Sequence, residues 1–536
     1  MSSAVELVAA ICLVWCCAVV VVQAIGISAL FRFFSRKQPP SVSSKLANDA
    51  PAVTIIRPVK GIEPHLYDCI ASTLRQDYPY DKVSIRLCVE DERDPSYPIL
   101  QKLVRDFPSL DLQILVEAHD PVLHGSTGHI ENLGPNPKIR NISRAYREAT
   151  GDLIWIIDCN VWVASGVLGR MVDKISGFSA SGKAIRPYKF VHHMPLEVDV
   201  IDYSQPASDD AKSFSTLLHP ASPSSRPVAE SDNAMTRVSN HGGGRLDEMF
   251  MSTTHAKFYG AINSVGVAPC IVGKSNMFRK SHLELVTSPS KNPILPKNNS
   301  RPSGVDYFSH NICEDHLIGD LLWRSNIPGF LNHGIAWGDF VIQPMAGMSV
   351  ASYAARRVRW LRARKFTVLA ATLVEPGIEP FLCSAYLSFA VTTLPWFHAN
   401  LGIPQTWSAM PFVWLVCLAV WATVDWFTSH HLQSGKSIQV SHNTPAFARG
   451  TTHAGGMPRR PLREWLPAWI GREALALPIW TLAVVLGTTV SWRGKTFRVN
   501  MNTTVEEIME QSPIRASKTP ELERGVSASK NKDRVD

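Results

Sequence analysis

The acidic residues Asp91, Asp158, Glu314 and Asp315, followed by the run Arg356-Arg357-Val358-Arg359-Trp360, are where this sequence can do chemistry. A carboxylate can accept a proton from a reacting hydroxyl, or hold a hard divalent cation through oxygen. A guanidinium can grip phosphate oxygens in pairs, and an indole can cover an apolar or sugar face. Each residue also has an ordinary role. A lone Asp after a strand caps a turn or a helix. Glu314-Asp315 suits the positive end of a helix. Arg356 to Lys365 reads by itself as a basic interfacial helix on anionic lipid. His192 alone is a core or surface histidine. The joint order gives these residues weight, not any one of them.

The elements that must position them can be read from hydrophobic pattern. Ala52 to Ile56 is apolar and β-branched, and Arg57-Pro58-Val59-Lys60-Gly61 turns the chain after it. Further strands are expected at Val83–Val89, Leu112–Val116 and Leu153–Ile157. Helical stretches fall between them, at Leu66–Leu74, Pro98–Asp106 and Ile142–Thr150. Alternation of this kind predicts an α/β domain with a mostly parallel sheet. Ligands bind such sheets at the carboxyl ends of the strands, where Pro58–Gly61, Asp91 and Asp158 all fall. Two polar stretches, 204–244 and 288–304, lack any hydrophobic period and are expected as surface loops or disorder, as are 36–48 and the tail after about 511.

Composition sets the surroundings. The chain has 536 residues, 45% hydrophobic and only 19% charged, below the ~25% charged of ordinary soluble proteins. A mean hydropathy of -0.01 excludes a chain that is membrane throughout. Leu7 to Phe31 carries no charge and is long enough to cross a bilayer. Val22-Gln23-Ala24 looks like a signal cleavage site, but no basic residue precedes the run, so an uncleaved anchor is expected. Arg32, Arg36 and Lys37 then place the downstream domain in the cytosol. Further crossings are expected near 380–397, 408–428 and Ala474–Trp492, giving three or four in all, with the side of the tail left open. The net charge of +8 makes no case for nucleic acid, but suits an anionic membrane surface. Ten cysteines without CxxC spacing read as free thiols in a reducing compartment.

The order Asp91, Asp158, Asp315, Arg356-Arg357-Val358-Arg359-Trp360 resembles the D, D, D, (Q/R)xxRW pattern of membrane-embedded inverting GT-A glycosyltransferases. The segments Asn136–Asn141, His192–Pro195, Val272–Lys280, Ser491–Arg493 and Val505–Ile508 resemble the ceramide glucosyltransferase family in a fungal-type version. The resemblance covers most of 7–508 outside the two insertions. It implies an α/β GT-A (Rossmann-like) catalytic domain plus all-α transmembrane segments. The expected layout is an anchor over 1–35, a cytosolic GT-A domain over 45–375, transmembrane helices over 376–492 with a connecting loop 429–473, and a polar tail over 493–536.

The resemblance further implies transfer of glucose from UDP-glucose to the primary hydroxyl of ceramide, with inversion. Its site would use Asp315 as general base and Asp91 on the uridine side. Pro58, Lys60, Gly61 and Lys138 would line the nucleotide pocket. Arg359 and Trp360, with Arg356, would serve the diphosphate and acceptor, and His192 would join the active site. A diphosphate leaving group needs its charge neutralised, which a divalent cation (Mg²⁺ or Mn²⁺) held by Asp158 can do. Asn160 stands where the wider fold often has a second Asp, and an amide is the weaker ligand. The implied partners are UDP-glucose, ceramide and the lipid bilayer, in the Golgi or endoplasmic reticulum. A processive polysaccharide synthase and a non-enzymatic membrane scaffold are the competing readings. Asn141, Asn298 and Asn502 lie in glycosylation sequons, which a cytosolic domain leaves unmodified.

Overall fold

The computed structural model describes residues 3–124, 133–201, 239–297 and 300–508. The strands are β1 (Val53–Pro58), β2 (Val83–Val89), β3 (Asp111–Val116), β4 (Leu153–Ile157), β5 (Tyr188–Asp199), β6 (Ser275–Arg279) and β7 (Leu331–Met345). They form one sheet in the order β3-β2-β1-β4-β6-β5-β7. Only β6 runs against its neighbours, being antiparallel to β4 and β5. Every residue of β1 and β4 is buried, as expected of parallel strands covered by helices on both faces. The exposed edge strand β3 instead alternates, with Asp111 and Gln113 open to solvent.

The register brings the predicted site residues to one rim. Pro58 of β1 lies beside Cys88 of β2, and Ile56 of β1 beside Ile156 of β4. The segments leaving β1, β2 and β4 therefore emerge together. β6 adds what its antiparallel course allows. Ile157 faces Ser275, so Lys274 arrives next to Asp158, and the Asp158 amide donates to the Lys274 carbonyl at 3.0 Å.

Among the described residues, three helices are long and apolar enough to cross a membrane: Ser3–Phe33, Ala409–Gln433 and Leu462–Val485. The pair Pro380–Thr393 and Pro395–Leu401, bent by 72°, makes a fourth if counted as one span. The first helix approaches the helix Thr254–Val265 so closely that a Cβ on Gly26 would lie 1.9 Å from the Lys257 carbonyl oxygen. Inside this contact region Lys257 pairs with Asp425, both fully buried, and the Trp469 indole donates to the same carboxylate at 2.9 Å.

Several segments differ from the sequence expectation. Residues 36–48 are tied down, because the amides of Val42 and Ser43 donate to Asp173 at 2.6 and 2.7 Å. The stretch 288–304 is pinned where it is described: Asn292 is buried and its amide donates to the Val286 carbonyl at 2.7 Å. Most of the expected 204–244 insertion lies outside the described residues, as does the tail after 508, and residues 243 and 244 open the helix Gly243–Ser252. The last apolar helix begins at Leu462 instead of near Ala474, so the connection after the helix Ala409–Gln433 is shorter than 429–473. The expected polar tail contains β9 (Lys495–Val499) and β10 (Val505–Glu507), which join β8 (Thr489–Trp492) in a small antiparallel sheet. Arg493 and Gly494, at φ 52° and 80°, form the β8–β9 turn. Two left-handed residues in a two-residue loop match the twist of the strands they join. All ten cysteines are free.

Candidate active site

The centre of the site is an ammonium ion among carboxylates. Asn136 caps the helix Pro137–Glu148, accepting from the amides of Lys138 and Ile139, while Pro137 pre-sets the first turn. The cap fixes Lys138 in that turn, where its side chain is 6% exposed. Its Nζ lies 2.9 Å from Asp315, 3.2 Å from Glu314 and 3.4 Å from Asp158. Glu314 and Asp315 open the helix Glu314–Arg324, the end that favours negative charge. The Asn136 amide also donates to Glu314 at 3.1 Å, so one cap residue orders both helices.

The charges are mutually dependent. Burial opposes the Lys138 charge, yet Asp158, Asp315 and Glu314 hold its pKa well above the ordinary lysine value. Burial also opposes the Asp158 charge, but Lys138, Lys274 and Arg493 keep its carboxyl below the usual range. Burial and then the neighbouring Asp315 push Glu314 up to about 7. Gly273 leaves room for Asp315, since a Cβ there would fall 2.0 Å from Oδ2.

Asp91 stands apart from this cluster. With β1 between β2 and β4, it lies about two strand spacings, roughly 10 Å, along the rim. Arg93 bonds both of its oxygens, at 2.9 and 2.6 Å, and holds the carboxyl well below the usual range. Lys60 pairs with Glu90, and the Gly61 amide donates to Asp94 at 2.9 Å. These residues, with Pro58, make the other end of the same rim.

The helix Val350–Arg364 carries the Arg-rich run, started by a Ser349 cap that accepts from Ser352 at 3.0 Å. Arg356 pairs with Glu197 at 2.6 Å and Asp247 at 2.8 Å, and stacks over the half-buried Trp360 at 4.5 Å. Its charge is thus already met by protein. Burial and Asp247 push Glu197 up to about 8 despite that arginine. Arg359 is three residues further on and shares the face of Arg356. Among the described residues it has no hydrogen bond or ion pair. Burial first, then Arg356, lowers it to about 10, so it stays charged at neutral pH. Both arginines line a cavity of ≈ 610 Å³ with Glu63, Gln343, Met348 and Ser491. The structure therefore separates Arg359, poised for an anion, from Arg356 and Trp360, which are held by neighbours.

His192 is not brought to the carboxylates. It is fully buried on β5, hydrogen-bonded to the Tyr259 hydroxyl and edge-on to His333. Burial, His333 and His193 hold it well below the ordinary histidine value, so the ring is neutral. Sequence reasoning missed the roles of Lys274, Glu197, Asp247 and Arg493. Lys274 lay in a quoted segment, but only the antiparallel course of β6 reveals its neighbour. Asn160 accepts from Lys274 at 3.4 Å and so supports the lysine.

No group of three or more His, Cys, Asp or Glu side chains is arranged to hold a metal among the described residues. The oxygens of Asp158 and Asp315 converge on one cation, Lys138, and stay 25% and 19% exposed. Such a donor set suits Mg²⁺ or Mn²⁺ when substrate phosphates complete the shell.

An α/β sheet presenting an acidic rim beside lipid-sized helices is the layout of a membrane-embedded GT-A glycosyltransferase. The chain belongs to glycosyl transferase family 21, whose profile matches residues 7–196 and 233–505. Ceramide glucosyltransferase of Gibberella zeae is 53% identical over 539 residues, covering 100% of both chains. That of Pyricularia oryzae is 54% identical over 500 residues, 92% of this chain and 94% of that one. That of Candida albicans is 34% identical, over 85% of this chain and 88% of its own. A solved mannosyltransferase of Pyrobaculum calidifontis, in complex with GDP-Man and Mn²⁺, has a TM-score of 0.36 and 14% identity, over 77% of this chain and 98% of that one.

Proposed function

We propose that the protein transfers glucose from UDP-glucose to the primary hydroxyl of ceramide with inversion, yielding glucosylceramide and UDP. The observation that carries this reading is the convergence of Asp158, Asp315 and Glu314 on Lys138, all within 3.4 Å. Asp315 takes the hydroxyl proton as the ceramide oxygen bonds to the anomeric carbon. The bond from that carbon to the diphosphate breaks on the opposite face, and its electrons leave with UDP. Lys138, Lys274 and Arg359 supply positive charge for the developing diphosphate. Asp158 would hold Mg²⁺ or Mn²⁺, which adds Lewis-acid neutralisation of the same charge. Pro58, Lys60, Gly61 and Asp91 bind the nucleotide along the rim. The cavity beside Arg359 admits the acceptor, with Trp360 and Arg356 fixing the helix that forms its wall. His192 supports the sheet beneath the site as a neutral ring. The domain faces the cytosol of the Golgi or endoplasmic reticulum, where the water-soluble donor meets a lipid that never leaves the bilayer.

Incubating membranes with labelled UDP-glucose, with and without added ceramide, tests the reading. A lipid-soluble monoglucoside that rises with ceramide is expected, and an insoluble polymer refutes it. Asp315→Asn should lower turnover by ~10²–10⁴, the scale of a lost general base; unchanged turnover would remove Asp315 from that role.

A further inference from the structure

Of the three helices long enough to cross among the described residues, Leu462–Val485 is flanked on both sides by chain that belongs to the catalytic domain. Before it, Ile438, Phe447 and Ala448 are buried in the same core as the large sheet. Arg170 donates to Gln439 at 3.1 Å, and Arg460 pairs with Glu248 at 3.1 Å. After it, the Thr489 carbonyl accepts from Arg362 at 2.9 Å. The Asn311 amide donates to the Thr503 carbonyl at 2.7 Å, and the Val505 amide to the His310 carbonyl at 2.8 Å. A segment that leaves and rejoins one water-facing body cannot traverse the bilayer an odd number of times.

We infer that Leu462–Val485 does not cross but lies in the plane of the membrane face nearest the catalytic domain. It is 24 residues long and rises ~36 Å, enough to reach from one flank to the other. One side packs on the domain along its length. Gly471 meets Leu246, and Ile479, Ala483 and Val484 cluster with Leu246, Tyr353 and Leu361. The Trp480 indole donates to the Thr372 carbonyl at 2.7 Å.

As far as Leu477, another side of the helix is apolar and open. Leu462, Leu466, Ile470 and Leu477 form one stripe, each at least 36% exposed. At 100° per residue they span about 80° of the helix surface. Leu369 and Leu373 of the neighbouring helix Leu369–Val374 extend this surface. The occupant is lipid, because the stripe is continuous with a membrane helix. The Trp465 and Trp469 indoles donate at 2.9 Å to Ser429 and Asp425 of Ala409–Gln433. Arg459 and Arg463, both exposed, flank the start of the stripe, where anionic headgroups favour them. Mid-helix, Arg472 is 1% exposed and pairs with Glu379 and Glu473. A crossing would put these charges at the bilayer centre, where each is expensive. The crossings are then Ser3–Phe33, the bent pair taken as one span, and Ala409–Gln433. The tail shares the side of the catalytic domain.

The full-length protein in sealed microsomes tests this. Ala454→Cys before the helix and Met501→Cys after it are made singly. Each is treated with a membrane-impermeant maleimide polymer, with and without detergent, against the unsubstituted chain as background. Both sites should show the same added mass shift under the same condition, whichever way the domain faces. One site reacting freely while the other needs detergent overturns the proposal. Retained glucosyl transfer selects folded variants. A carbene-generating probe dissolved in the acyl phase should mark peptides bearing Leu466, Ile470 and Leu477. If it marks 409–433 and leaves these untouched, the stripe does not face lipid.

Discussion

Replacing Lys138 by Met removes the one cation shared by three carboxylates. At separations of 2.9–3.4 Å and an effective dielectric near 20, each contact is worth about 5 kcal/mol of gross attraction. Desolvation of the ammonium cancels most of this, and stripping one partner from a buried ionic group costs about 3–5 kcal/mol net. Scaled to a chain of this length, that is a fall of roughly 3–4 °C in apparent melting temperature. Thermal unfolding of the detergent-purified protein measures it. The electrostatic origin is separable from lost packing. Glu314 is 4% exposed and is pushed up to about 7 by burial and then by Asp315. Without Lys138 the carboxyl is driven further toward its neutral form, so Glu314→Gln in the Lys138→Met background should recover stability above pH 7, where the carboxylate would otherwise be charged, and little below it. Turnover should stay low in both variants, because both lack the lysine proposed to face the diphosphate. A Lys138→Met protein as stable as the parent, or a double variant less stable than the single, would refute the reasoning.

Gly273→Ala should displace Asp315, which a Cβ would meet at 2.0 Å; misplacing a catalytic group by about 1 Å lowers turnover by around 10²-fold, while the melting temperature moves little. A chelator added to membranes should lower glucosyl transfer, and Mg²⁺ or Mn²⁺ should restore it; full activity without metal would leave Lys138, Lys274 and Arg359 as the whole of the charge compensation. His193 is 1% exposed, and burial, then Arg170, lowers it to about 3. The unfolded chain takes its proton near 6.5 and the folded one does not, so this contribution is complete above pH 6.5. It is lost as pH falls toward 3, by up to about 1.4 kcal/mol per pH unit. Melting temperature measured against pH should therefore drop on the acid side of 6.5, and less so for His193→Gln.

The parallel half of the sheet was legible because its strands are apolar runs, as at Leu153–Ile157, or alternate, as at Val83–Val89. Val83–Val89 and Leu153–Ile157 carry the same bounds in sequence and structure. β6 was not legible as a strand. Ser275-Asn276-Met277-Phe278-Arg279 has neither a clear alternation nor an apolar run, and its direction is set by partners far away in sequence. That is why Lys274 escaped assignment while Asp158, at the end of an apolar run, did not. The carboxylates at the rim could be named from their positions after strands. Their dependence on Lys138 could not, since it needs the Asn136 cap to turn the side chain inward. Arg356 shows the opposite failure. Its type suggested an anion, but Glu197 and Asp247 reach it from other elements and satisfy it first. Asn141 is a sequon by pattern only: it is 2% exposed, and its amide donates to the Cys88 carbonyl at 3.0 Å, so the folded domain offers no acceptor there.

The β8–β9 hairpin follows every lipid-facing helix in the chain, yet its Arg493 turn contributes to the field at Asp158. The part of the domain between the first and second crossings can be made early and still be missing a wall. Competence for transfer is thereby deferred until the nascent chain has threaded its greasy segments and come home.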